Sequence, residues 1–584
     1  MVKIWNPKDD GDPKVVGELA SQLNIDYTLA NLLIQRGITN FVEAKKFFRP
    51  DLKNLHDPFL MKDMDKAVER LNQAIKLQEK ILVYGDYDVD GTTAVSLVYS
   101  FFKIYNSNID FYIPDRYTEG YGISTESIDF AHENGFTLII ALDCGIKASD
   151  KIDYAKSKGI DFIIGDHHRP DNTIPEAYAV LDPKQPECQY PYKDLSGCGV
   201  AYKMIQAFSK KNKIPMEKAY DFLDLVVISI ASDIVPITGE NRIFAYYGLR
   251  IINTKPRPGI EAILACAKVT RRPRQIYTHN KSIFSKELTI NDLVFTIGPR
   301  INAAGRLENG KTSVELLNSD NLEDAKIIAE RINDINNERR NLDNIATQDA
   351  IEDLENDPKT IYKKTTVVYN PDWYKGVVGI VASRLTEKYY RPTIVFTKSN
   401  GLITGSARSI KNFDIYDAIN ACSDLLEHFG GHTYAAGLSL KEENLSIFIE
   451  RFEQIVTETI DDQMLIPVID YDTDLDLKDI NTKFYKTLKS FAPFGPGNQS
   501  PVFRTTGVVD TGLARIVGKN HIKLTVTQLN KGGYPISAIA FQQGDYFDQI
   551  TGGLPFNIVY HIEENEWNNT ISLQLNIKDI KIIE

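Results

Sequence analysis

Cysteine is scarce in this chain. Five are found among 584 residues (Cys144, Cys188, Cys198, Cys266 and Cys422), and no two form a CxxC pair. That spacing excludes a disulfide framework and a zinc ribbon, and it fits a reducing compartment. Positive charge is also short, with 67 Lys and Arg against 79 Asp and Glu, a net charge of −12. Bulk cationic attraction to nucleic acid is therefore excluded, and a contact with a phosphate chain needs a local basic groove. The longest apolar runs, such as residues 225–231, fall far below the roughly 20 residues that span a bilayer. The opening residues, MVKIWNPKDDGDP, lack the apolar stretch of a secretory signal. These absences predict a cytoplasmic protein with no membrane partner. Internal repeats and low-complexity tracts are missing too. The 43% hydrophobic and 25% charged residues are ordinary globular values. At ~150 residues per domain, the length suggests about four domains.

Residues 1–75 read as helical, with Met64, Ala67, Val68, Leu71 and Ile75 at helical spacing over 63–77. From 81 onward short apolar strands alternate with helices. Strands are predicted at 81–85, 109–113, 137–142, 161–165 and 179–181, and helices at 92–103, 124–134 and 148–158. Alternating βα units imply a doubly wound, mostly parallel sheet. Residues 200–235 return to helix. Residues 320–355 contain neither proline nor glycine and read as one long, mostly polar helix, roughly 50 Å at 1.5 Å per residue. Such a helix bridges domains. A second α/β segment follows, with strands at 366–369, 393–397 and 402–405 and helices at 377–390 and 415–428. The proline- and glycine-rich segment 493–501 reads as a boundary. Beyond it, five strand-like runs with one helix between the third and fourth suggest a small Greek-key barrel of the OB type. The expected division is 1–75, 76–240, 241–360, 361–460 and 461–584. A chain cut near Gly495 is expected to keep the catalytic domains and lose affinity for long single strands.

The strongest chemical signal is YGDYDVDG, where Asp86, Asp88 and Asp90 alternate between a buried strand and a helix. Asp143 ends a later strand, Asp166-His167-His168 ends the next, and Asp233 closes an apolar helix. In an open α/β sheet ligands bind outside the carboxyl ends of the strands, so these residues meet at one edge. A single aspartate after a strand is a turn former or a cap. A whole cluster cannot stay ionised without cations to neutralise it. A calcium loop fits poorly, because the later glutamate is missing. Mixed oxygen and imidazole donors point to Mn²⁺, with Mg²⁺ second. So many ligands suit two ions, the usual device for in-line attack on phosphorus. Phosphoester hydrolysis is the natural inference.

DYDVDG, LDCG, GDHH and SDI together resemble the four motifs of the DHH phosphoesterase superfamily. Residues 430–437, GGHTYAAG, resemble the signature of the DHHA1 domain. GPRINAAGRL (298–307), GVVGIVASRL (376–385) and GSARSI (405–410) are similar to motifs of the RecJ family of single-strand-specific exonucleases. The resemblance implies a DHH domain, a connecting helix, a DHHA1 domain and an OB-like barrel. It implies that Asp90, Asp143, His167 and Asp233 hold one metal. Asp143 bridges to a second, held with Asp88 and Asp86, and His168 contacts water or phosphate. Tyr84 stands where many relatives carry His, and Tyr374 stands where the family has WHxGVVG. Substrate phosphates are assigned to Arg116, Arg300, Arg306, Ser406 and Arg408, with Gly430, Gly431 and His432 close to the sugar-phosphate chain. The run 271–274 (RRPR) reads as a solvated loop, and the cysteines as packing.

The resemblance implies a 5′ to 3′ exonuclease on single-stranded DNA that releases 5′-mononucleotides in recombination and repair. A monomer is expected, with a single-strand-binding protein or a helicase as partner. The rivals are a phosphodiesterase of short oligoribonucleotides or cyclic dinucleotides, and a non-catalytic DHH-like scaffold that binds DNA.

Overall fold

The computed structural model describes residues 3–116, 118–120, 122–272, 282–567 and 570–583. Pro273 and Arg274 of the run 271–274 lie outside this set. The chain divides into two compact units, Pro7–Asn333 with Asp470–Glu584, and Met1–Asn6 with Asp334–Ile469. One uninterrupted helix, Leu322–Asn356, begins in the first unit and ends in the second, as the absence of helix breakers predicts. No helix among the described residues is long and apolar enough to cross a membrane.

The first unit is built on a five-stranded parallel sheet. Its order is Ile109–Tyr112, Ile81–Gly85, Leu138–Leu142, Asp161–Gly165, Ala179–Leu181. The central strands are buried on both faces, which explains their unbroken apolar runs. The chain reverses direction of travel at Ile81–Gly85, so the crevice between it and Leu138–Leu142 is the topological switch point. Asp86 and Asp143 follow these two strands. The helix Val89–Phe102 starts three residues earlier than periodicity predicts, because Asp88 caps it and accepts from Gly91 N at 3.1 Å.

The barrel closes because Phe503–Asp510 pairs with both Phe556–Trp567 and His521–Gln528. His521–Gln528 alternates half-buried and buried residues, the pattern of a barrel wall. The helix Phe547–Thr551 falls between the third and fourth long strands, as expected. The expectation of a separable barrel is corrected. Leu19, Leu29, Leu32 and Leu33 of the amino-terminal helices share one core with Phe503, Ile522 and Tyr560 of the barrel. Segment 493–501 is tied down and is no free linker. Buried Arg242 donates to the carbonyls of Phe47, Phe491 and Ala492 at 2.9–3.2 Å, and Ile237 N donates to Pro496 O at 2.6 Å. A cut near Gly495 would remove the barrel half of this core and the Pro496 carbonyl that Ile237 N–H reaches.

The second unit carries a mixed five-stranded sheet. Its order is Leu426–His432, Ala435–Leu440, Leu402–Arg408, Thr393–Ser399, Thr366–Tyr369. The helix predicted over 415–428 stops at Asn420, and Leu426–His432 is a strand. Locally 415–428 has helical spacing, but antiparallel pairing with Ala435–Leu440 claims its second half. The short strand Ile4–Pro7, in a region expected to be helical, pairs with Val468–Tyr471.

Candidate active site

Three strand ends and one helix end deliver the predicted acids and imidazoles to one place in the first unit. His167 Nε2 lies 3.2 Å from Asp143 Oδ1 and 3.6 Å from both Asp90 Oδ2 and Asp233 Oδ2. His168 Nδ1 lies 4.0 Å from Asp143 Oδ1. Among the described residues, two groups have the spacing of a cation's ligands, Asp90 with His167 and Asp233, and Asp143 with His167 and His168. Neither contains a cysteine. His167 belongs to both groups, and Asp143 Oδ1 lies 3.2 Å from its Nε2.

The polar atoms of this cluster are poorly satisfied by protein. Both carboxylate oxygens of Asp86, Oδ1 of Asp143 and both ring nitrogens of His167 are buried with no hydrogen-bond partner. Buried polar atoms normally find partners, so this set calls for a cation. An ion about 2.1 Å from each ligand needs neighbouring ligand atoms about 3 Å apart, close to the spacings here. Burial and like charge act together on the acids. Burial, then Asp88, pushes Asp86 up to about 8. Burial, then Asp90, pushes Asp233 up to about 8. Asp143 is raised well above the carboxylate range by burial and by Asp90, Asp88, Asp166 and Asp233. Asp88 is raised by burial and Asp90.

Asp90 has a double role. Its Oδ1 accepts from Cys198 N and Ser229 Oγ, and its Oδ2 accepts from Gly197 N, all at 2.7 Å. It thus caps the helix Gly197–Lys211 while Oδ2 faces His167. Such second contacts orient a ligand and tune its basicity. Asp166 does not join the ligand set. It accepts from Ile146 N, His167 N and His168 N, and its Oδ1 is 2.8 Å from His168 Nδ1. Burial opposes both charges of this pair, yet the hydrogen bond holds Asp166 at about 2 and lifts His168 to about 9. His167, by contrast, is lowered by burial, which suits a neutral ligand.

Two features were illegible in the sequence. Asp143 sits at φ 59°, a left-handed conformation, and donates from its N–H to Gly165 O. A Cβ at Gly197 would lie 2.7 Å from Asp143 Cβ and 2.8 Å from its Oδ1. Glycine at 197 is therefore what lets Asp143 reach the cluster. Gly197→Ala is expected to lower the hydrolytic rate about 100-fold, the cost of misplacing a reacting group by about 1 Å. Steady-state rates at saturating metal check this, and a rate within threefold of the unmodified protein would contradict it.

Tyr84 points away from the ligands. Its hydroxyl donates to Gly122 O at 2.6 Å and its ring stacks on Tyr112, 5.7 Å between centroids. The bond ties Gly122 to the end of Ile81–Gly85 and leaves Asp86 as the acid at that strand end. Arg116 lies 5.2 Å over the Tyr87 ring and its charge reaches Asp86. Arg306 acts electrostatically on Tyr87. Arg300 donates to Thr296 O at 2.7 Å and to Asn333 Oδ1 at 3.2 Å, within its own unit.

In the second unit the remaining predicted residues fall on adjacent rows of one sheet. Gly430 pairs with Gly437 and Gly437 with Ser406, while His432 pairs with Ala435 and Ala435 with Arg408. Segment 405–408 is strand, not the turn that its glycine suggests. Ser406 and Arg408 therefore share a face, with Arg408 Nη1 3.0 Å from Ser406 Oγ. A Cβ at Gly379 would lie 3.1 Å from Ser406 Oγ and from Arg408 Nη2. That places the first turn of the helix Val378–Tyr389 against the pair. Burial lowers the Arg408 pKa. His432 is exposed, and Gly431 at φ 155° admits Ala435 O, which a Cβ would meet at 2.4 Å. Trp373 is buried and donates to Asp349 Oδ2 at 3.3 Å.

A cluster of carboxylates and imidazoles at the switch point of a parallel sheet, joined to a second α/β unit, defines a phosphoesterase of the DHH class. Residues 80–230 match the DHH family N-terminal domain, 359–458 the DHHA1 domain, and 471–579 the RecJ OB domain. The chain belongs to the RecJ family. It is 36% identical over 576 residues to a Bacillus subtilis (strain 168) protein named single-stranded-DNA-specific exonuclease RecJ, covering 98% of this chain and 70% of the relative. The Escherichia coli (strain K12) protein of the same name is 33% identical over 572 residues, covering 94% and 95%. RecJ from Thermus thermophilus, crystallised with Mn²⁺, shares the fold at TM-score 0.82 and 24% identity, covering all of this chain and 80% of that one. An exonuclease RecJ structure bound to manganese aligns at TM-score 0.57 and 27% identity over 70% of this chain and 97% of that one.

Proposed function

We propose that this protein is a single-stranded-DNA-specific exonuclease that digests from the 5′ end, releases 5′-mononucleotides, and uses two divalent cations, Mn²⁺ or Mg²⁺. The observation that carries the reading is the buried, unpartnered set on Asp86, Asp143 and His167. Asp90, Asp143, His167 and Asp233 would hold one ion, and Asp143, Asp88 and Asp86 the other. Bound there, the cations supply Lewis acidity for a phosphodiester and lower the pKa of water. The chain's own residues do the rest. Asp143 presents its carboxylate between the two ligand neighbourhoods. His168, kept cationic by Asp166, offers its second N–H to a phosphate oxygen as charge develops there. Arg116, Arg300 and Arg306 serve the phosphate chain, and Gly430, Gly431 and His432 lie against it.

The division expected from sequence is retained as part of this reading: an amino-terminal helical segment to 75, a DHH domain to 240, a helical region to 360, a DHHA1 domain to 460 and a barrel beyond. The working setting is DNA recombination and repair in the cytoplasm. The protein acts as a monomer, with a single-strand-binding protein or a helicase supplying single strands.

Ser406 and Arg408 beside the first turn of Val378–Tyr389 form a site for a terminal phosphate, since a guanidinium, a hydroxyl and a helix amino terminus all favour that anion. A terminal monoester carries roughly one more negative charge than an internal diester at pH 7. Arg408→Ala is expected to slow digestion of 5′-phosphorylated single strands about 10- to 1,000-fold, roughly 1.4–4 kcal/mol. Strands with a 5′-hydroxyl should slow much less. Matched kinetics on the two substrates test this, and equal slowing would place end recognition elsewhere.

A further inference from the structure

The acidic loop 86–90 is pinned by a helix more than two hundred residues further along the chain, and the known chemistry of the site leaves that contact unexplained. Val89 N–H belongs to the first turn of Val89–Phe102, where helical geometry supplies no acceptor. Asp88 takes the N–H of Gly91. The N–H of Val89 goes to Asn302 Oδ1 at 3.2 Å. Asn302 lies in the helix Gly298–Leu307, which presses on the same loop in two further places. A Cβ at Gly305 would lie 2.4 Å from Tyr87 O. A Cβ at Gly310, in the turn that follows, would lie 3.3 Å from Tyr87 Cα. From the other side, a Cβ at Gly91 would lie 2.3 Å from Asp86 O. The loop is therefore held between two glycine-lined surfaces, with one side-chain acceptor fixing its register.

Asn302 bonds to the residue between Asp88 and Asp90, so moving Val89 turns both carboxylates. The helix that carries Asn302 is itself fixed. Arg300 ties it to Thr296 O and to Asn333 of the long helix, and a Cβ at Gly298 would lie 3.0 Å from Ser232 Oγ, next to Asp233. One helix thus touches the neighbours of four acids in the ligand set, Asp86, Asp88, Asp90 and Asp233.

We propose that Asn302 is a positioning residue of the metal centre, which sets the aim of Asp88 and Asp90 through the Val89 N–H, with Gly305 permitting the close approach. The proposal rests on the reading of Asp88 and Asp90 as metal ligands. Partners at this remove from an ion typically set its affinity by 10- to 100-fold.

The test measures Mn²⁺ binding to the full-length protein by calorimetry without DNA, alongside hydrolysis of single-stranded DNA across a Mn²⁺ titration. Asn302→Leu keeps the volume and removes the acceptor, and is expected to weaken Mn²⁺ binding about 10- to 100-fold. In the titration, half-maximal hydrolysis should move to about 10- to 100-fold higher Mn²⁺. Asn302→Asp keeps an oxygen at the same position and is expected to restore binding to within about threefold of the unmodified protein. If Asn302→Leu fails to fold, Gly305→Ala pushes on Tyr87 O and should weaken Mn²⁺ binding in the same way. A merely structural residue would lower the melting temperature and leave Mn²⁺ affinity in the folded protein unchanged, and that result overturns the proposal. Asn302→Asp binding as weakly as Asn302→Leu overturns it too. Failure of the unmodified protein to bind Mn²⁺ would instead remove the metal reading beneath it.

Discussion

Asp143→Ala is expected to lower the rate of single-strand digestion by about 10³-fold or more, roughly 4 kcal/mol of lost transition-state stabilisation. The carboxylate is the nearest acid to His167, at 3.2 Å, and belongs to the same ligand group as His168. Its Oδ1 is buried and accepts no hydrogen bond from the protein, so little in the fold depends on it. The substitution removes a carboxylate that burial and four neighbouring acids already resist ionising. The metal-free variant should therefore melt at or above the temperature of the metal-free parent at pH 8. Activity within tenfold of the parent at saturating Mn²⁺ would contradict the assignment, and so would a large fall in melting temperature.

Metal removal should abolish hydrolysis and expose a pH dependence of stability with a definite sign. Asp86 and Asp233 are pushed up to about 8, against an ordinary carboxyl near 4. A raised carboxyl binds its proton more tightly in the folded state. Its contribution is therefore fully present below about pH 4 and is lost as pH rises through about 8. His168, lifted to about 9, acts in the same direction, with its contribution lost as pH rises through that value. Asp166, held at about 2, contributes above the ordinary carboxyl range and loses it only below that value, outside the working window. The chelated protein should thus lose stability between about pH 6 and pH 9. A cation replaces the protons and cancels the loss. Mn²⁺ at 100 times its dissociation constant should add about 2.7 kcal/mol per site. Thermal melts with chelator and with Mn²⁺ at pH 6, 7 and 8 check this. A chelated protein that grows more stable over the same range, or gains nothing from Mn²⁺, would contradict it.

Much of the site is legible because its acids stand where apolar strands stop. Ile81–Gly85, Asp161–Gly165 and Ala179–Leu181 have the bounds their apolar runs predict, since glycine or aspartate ends each run. The acids and imidazoles that meet in the cluster then follow from position at the strand ends. What sequence withholds are contacts made across the chain. Gly197 looks like a helix start, and only the approach to Asp143 at 2.7 Å explains it. Ser229 sits in an apolar helix with no sign that its hydroxyl supports Asp90. Asp166 gives no sign in the sequence of its role, in which Oδ1 takes the His167 and His168 N–H groups and the His168 ring, and Oδ2 takes Ile146 N–H. Residues 415–428 obey helical spacing, but the helix stops at Asn420 and a strand paired with Ala435–Leu440 begins at Leu426. In each case the deciding partner lies far away in sequence or in another element.

Whether the acidic cluster removes nucleotides from the end of a single strand is decided by incubating the protein with single- and double-stranded DNA labelled at either end, with Mn²⁺ or with chelator, and sizing the products. The single strand is expected to be consumed from its 5′ end to 5′-mononucleotides, blunt duplex to survive, and chelator to stop the reaction. Equal digestion of the duplex, internal cuts, or hydrolysis confined to dinucleotides while long strands remain intact would contradict that role.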